Sequence, residues 1–134
     1  MLDIIVAVFQ LLIAVGFLGF WVYFFLVENK DTSKRAGYFE FERSFPLADL
    51  GWALPCLLIA AISLLIGQKQ IGVFFSILAG SALTFLGLLD ISHNLQYEGY
   101  KGEKMDVVLN LVVNLTCIIF GPIFILYGWF NFIL

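Results

Sequence analysis

Long apolar runs alternate with short polar breaks along this chain. The runs fall at about 4–27, 46–66, 71–93 and 107–133, and the breaks read ENKDTSKRAGYFEFERS, GQKQ and NLQYEGYKGEKMD. A bilayer core needs roughly 20 apolar residues per helical crossing. Each run meets that length, and none alternates with the period of two expected of a half-buried strand. The pattern therefore predicts an all-α integral membrane protein with four antiparallel transmembrane helices, organised as one domain over residues 1–134.

Within the runs, polar and small residues recur at helical spacing, about 100° per residue. In the second run they are Asp49, Ala53, Cys56, Ala60, Ser63 and Gly67. In the third they are Ser76, Gly80, Thr84, Gly87, Asp90 and Asn94, and in the fourth Asn110, Asn114, Cys117, Gly121, Gly128 and Asn131. Hydrocarbon solvates amides and carboxylates poorly, so these stripes are expected to turn inward, where small residues let helices approach closely. The first run has no such contrast; Gly16, Gly19 and Tyr23 mark its expected inner face. Pro55 and Pro122 each remove a backbone donor and are expected to bend their helices.

Composition agrees with a membrane setting: the chain is 62% hydrophobic and 13% charged, with a mean hydropathy of +1.01. Soluble domains are about half apolar and a quarter charged. Lys30, Lys34, Arg35, Arg43, Lys101 and Lys104 lie in the first and third breaks, against Lys69 alone in the second. By the positive-inside rule this places those two loops in the cytoplasm and both termini on the non-cytoplasmic side. The location is a multi-pass membrane one, the cell membrane if the source is prokaryotic. The first run lacks a basic leader and a cleavage motif, so it is expected to stay as a helix rather than act as a secretion signal. Trp21, Tyr23, Tyr97, Tyr100 and Trp129 are expected near the interfaces. GYFEFERSF, with its alternating aromatic and charged residues, is expected to lie along the headgroup layer.

The candidate chemistry is sparse. No basic patch exists to neutralise phosphates, so nucleic acid is excluded as a partner. Cys56 and Cys117 form no C-x-x-C pair and read as buried packing residues. His93 points off the polar stripe and has no second His or Cys at ligand spacing, so no metal and no cofactor is expected. The ligand-binding candidates are Asp49, Asp90, Asn94, Asn110 and Asn114, inward-facing residues that antiparallel topology collects toward the cytoplasmic side, with Thr84 deeper. Paired acids in low dielectric raise at least one pKa, so Asp49 and Asp90 are also the candidates for acid–base chemistry.

Small multidrug-resistance exporters are similar in size and span count. They rely on a glutamate within the first helix, whereas Glu28 lies at that helix's end. The first-ranked reading is a polar intramembrane pocket, open to the cytoplasm, that binds or passes a small amphipathic or cationic ligand. Two others stand beside it: an enzyme acting on a lipid-like substrate through an aspartate, and an accessory subunit whose stripes serve packing. The enzymatic reading ranks lower because no nucleophile–base or metal set is visible. Expected partners are membrane lipids and a homodimer or larger membrane complex.

Overall fold

A computed structural model describes residues 1–132; Ile133, the last residue of the fourth expected run, lies outside the described residues. The fold is all-helical, with no strand among those residues. Four helical stretches are long and apolar enough to cross a membrane: Leu2–Lys30, Tyr38–Leu65, Lys69–Gln96 and Lys104–Phe132. The second begins well before the expected position 46. The segment GYFEFERSF supplies its first turns, because the aromatic residues also satisfy helical spacing. The chain forms two compact units, Met1–Gly72 and Val73–Leu134.

The first unit pairs α1 (Leu2–Leu26) with α4 (Leu54–Leu65). Between them run a 3-10 turn (Glu28–Lys30) and two short helices, α2 (Tyr38–Glu42) and α3 (Phe45–Ala48). A π-helical turn (Asp49–Ala53) leads into α4. The pair is antiparallel: Asp3 at the start of α1 meets Lys69 beyond the end of α4 at 3.4 Å, and Trp21 meets Asp49 at the other end. The inner face of α1 is Val6, Ala7, Gln10, Ile13, Ala14, Phe17, Trp21 and Phe24. This corrects the expectation of Gly16, Gly19 and Tyr23, which are exposed. Ala7, Gln10 and Ala14 mark the inner face at helical spacing, whereas the glycines of this helix face outward.

On α4 the expected stripe holds, since Asp49, Ala53, Cys56, Ala60 and Ser63 are all buried while Gly67 is exposed. Pro55 sits in the first turn of α4, where its missing N–H costs little. The irregularity expected of it is absorbed by the π-helical turn just upstream. Gly67 closes the helix in the left-handed conformation at φ 81°. The Gln68 N–H donates to the Ser63 carbonyl (2.8 Å) and the Gly67 N–H to that of Leu64 (3.3 Å). This paired C-terminal cap is what lets GQKQ turn so tightly.

The second unit pairs α5 (Lys69–Gln96) with α6 (Lys104–Phe132). Here the backbones themselves touch. A Cβ at Gly80 would lie 2.5 Å from the Gly121 carbonyl oxygen, and one at Gly121 would lie 2.2 Å from Thr84 Oγ1 and 2.9 Å from the Gly80 carbonyl oxygen. Neither position admits a side chain. Cys117 packs its Cβ over Gly87 one level further along, which confirms its packing role and the antiparallel sense. The expected stripes hold for most of their members in this unit: Ser76, Gly80, Gly87, Asn94, Asn114, Cys117, Gly121 and Gly128 are buried, and Thr84, Asp90, Asn110 and Asn131 are half-buried. Pro122 follows the closest approach, inside a continuous α6.

Candidate functional site

The end of α5 builds the site through its own termination. Glu98 adopts a left-handed conformation, φ 57°, a region that ordinary side chains visit at a cost of about 1–2 kcal/mol. The turn it makes lets the Gly99 N–H donate to the Asn94 carbonyl at 2.8 Å, closing the helix. Gly99 then lies directly on the Asn94 side chain, and a Cβ there would be 1.9 Å from Asn94 Oδ1. Only glycine fits. The returning chain is tied to α6 by two amides. Asn110 Nδ2 donates to the Gly99 carbonyl at 2.8 Å, and Asn114 Nδ2 donates to the Tyr100 hydroxyl at 2.7 Å.

Three of the expected site residues, Asn94, Asn110 and Asn114, are thus gathered around one loop. Asn94 is 5% exposed and Asn114 is 1% exposed, yet their valences are not filled. Asn94 Nδ2 and Asn114 Oδ1 have no hydrogen-bond partner among the described residues. Buried polar atoms in native structures nearly always have partners, so such exceptions call for an explanation. Asp90, Gly99, Tyr100 and Asn110 around them are half-buried.

Burial raises the Tyr100 pKa above its ordinary value of 10.0. The negative charge of Asp90 adds to this, while the amides of Asn114 and Asn94 act in the opposite direction. Asp90 and Asn94 therefore both act on the phenol, although the Asn94 amide N–H makes no well-formed hydrogen bond among the described residues. The Tyr100 hydroxyl stays neutral, a donor and acceptor at once, across the whole physiological range.

Thr84 lies elsewhere. Its hydroxyl donates to the Gly80 carbonyl at 2.8 Å, in the glycine contact and about 15 Å along the helix from Asn94. It shapes the α5–α6 contact rather than this end. His93 is half-buried, its ring 4.9 Å from that of Tyr97.

Asp49 belongs to the first unit. Its Oδ2 accepts from the Trp21 indole Nε1 at 2.9 Å, with Asp49 8% and Trp21 3% exposed. Trp21 is accordingly a core residue. Its ring meets Phe24 edge to face at 5.1 Å, and Phe24 meets Phe39 of α2. Arg43 forks onto Asn29 Oδ1 at 2.9 and 2.7 Å. Tyr38 donates to Glu28, and Lys34 stands 3.8 Å from the same carboxylate. These pairs tie the loop to the end of α1.

Sequence reasoning missed Tyr100, Gly99 and Trp21 as partners of the polar stripes. Tyr100 is a loop aromatic, and its role follows only from a helix cap that folds it back. The usable signal was the pair Asn110 and Asn114, one turn apart directly after a loop containing glycine and tyrosine. Comparison with protein-family models, with curated proteins and with solved structures finds no match to this chain.

Proposed function

We propose that this is a multi-pass membrane protein whose α5–α6 end receives the polar head of a small amphipathic or cationic ligand. In this reading the four apolar helices span the bilayer, both termini are non-cytoplasmic, and the loop carrying Tyr100 opens toward the cytoplasm. The lysines and arginines of the first and third loops support that orientation. One observation carries the ligand: two amides, nearly fully buried, each with an open hydrogen-bonding atom beside a half-buried rim. An intramembrane polar group without a partner is costly to retain, and a bound head group would satisfy it. The reading rests on the α5–α6 residues alone.

Native mass spectrometry from mild detergent tests it, comparing the natural chain with Asn94→Leu/Asn114→Leu. The expected result is a retained small-molecule mass on the natural chain that the double variant loses, with helicity unchanged by circular dichroism. A bare protein mass, or a ligand held equally by both, defeats the proposal. So does a stoichiometric protein partner in place of a small molecule, which is the outcome an accessory subunit gives.

A further inference from the structure

We propose that the head group taken at this end is neutral and hydroxyl-bearing, as in a glycerol-headed amphiphile or a long-chain alcohol. The inference rests on the reading above of the asparagine end as a ligand site, and it selects one chemistry within it. The two open atoms are of opposite kind: Asn94 Nδ2 requires an acceptor, and Asn114 Oδ1 requires a donor. An ammonium head supplies donors only. It answers Asn114 and leaves the Asn94 N–H bare. A carboxylate or phosphate supplies acceptors only, leaves Asn114 Oδ1 bare, and meets the negative charge of Asp90, which already acts on the neighbouring phenol.

A hydroxyl meets both requirements, its oxygen accepting from Asn94 and its proton going to Asn114. Two adjacent hydroxyls meet them with room to spare. The neutral amides and the neutral Tyr100 phenol form a surface suited to an uncharged head. A site built from buried amides rejects a head that leaves one of them unmatched. The half-buried rim of Asp90, Gly99, Tyr100 and Asn110 leaves the end reachable, and the apolar helices on which it sits suit an alkyl tail.

The test uses the full chain with 15N-asparagine in detergent micelles, following side-chain amide signals during titration with 1-O-octylglycerol, octylammonium or octanoate. Octylglycerol should shift the Asn94 and Asn114 signals saturably, with a half-point lower by about tenfold or more than either charged probe. Asn114→Leu should abolish the Asn94 response. Unchanged Asn29 and Asn131 signals in that variant show that it has folded. An equal or stronger response to octylammonium overturns the hydroxyl assignment and leaves a ligand site standing. Should no probe shift the signals while both amides cross-relax with water, the two atoms hold a buried water. The assignment and the reading beneath it then fall together.

Discussion

The two helical pairs solve the same problem by opposite means. In the α1–α4 pair, aromatic bulk fills the space between helices, and the buried carboxylate of Asp49 is held by the Trp21 indole. In the α5–α6 pair, side chains are removed until the backbones touch at Gly80 and Gly121, and Asn94 and Asn114 are buried with atoms left open. One pair holds its buried carboxylate with its own indole. The other leaves polar atoms available while its backbone contact holds the helices fixed. Rigid support beneath unsatisfied polar atoms is what a binding site needs, since a soft pair would collapse to satisfy them.

The largest expected effect probes that rigidity. Gly121→Leu drives a side chain into Thr84 and the Gly80 carbonyl, and should cost about 3 kcal/mol or more in a denaturing-detergent titration. The same assay on Gly16→Ala in α1, where a Cβ meets nothing within 4 Å, should show no loss and a gain of up to about 1 kcal/mol. Equal losses at both positions would erase the contrast between the pairs.

Next in size is the indole–carboxylate bond. Trp21→Phe keeps the ring packing but strips one donor from a buried carboxylate, which should cost about 2 kcal/mol. A double-mutant cycle with Asp49→Asn should return a coupling of about 1 kcal/mol or more. A coupling near zero would mean that the first pair does not depend on its polar contact.

Smaller, and of opposite sign, is Glu98→Gly. Relief of the left-handed strain should stabilise the second unit by about 1 kcal/mol. The cost of Glu98 in the natural chain is then part of the construction that folds Tyr100 back.

The smallest effect is a titration. A phenol whose folded pKa is raised favours the neutral form, so its contribution to stability is intact below the ordinary tyrosine value of 10.0. That contribution is lost as pH rises through the folded pKa. In an alkaline absorbance titration, Tyr100→Phe should therefore remove a late-ionising tyrosine. Loss of an early one would contradict the burial of the hydroxyl.

Much of this was legible where polarity contrasts with hydrocarbon. The stripes of the second, third and fourth runs predicted the buried faces, because a carboxylate or amide among leucines has only one comfortable direction. Asn94, Asn110 and Asn114 came together for that reason. The face of α1 was harder to read, since Phe17, Trp21 and Phe24 differ from their exposed neighbours in shape more than in polarity. Gln10, the single polar residue in the middle of that helix, was the overlooked marker. Tyr100 was hidden for another reason. Its place depends on one positive φ at Glu98, and a glutamate does not advertise a left-handed turn as glycine does.

The π-helical turn at Asp49–Ala53 winds with i→i+5 bonds, so it carries one residue more than an α-helix needs. Forcing the same residues into plain α-helix, with none removed, would swing everything upstream through about 100° relative to α4. Asp49 would then rotate out from beneath the indole that holds it. The surplus residue is a phase adjuster: it sets the angle at which the aspartate, carried upstream of α4, meets Trp21.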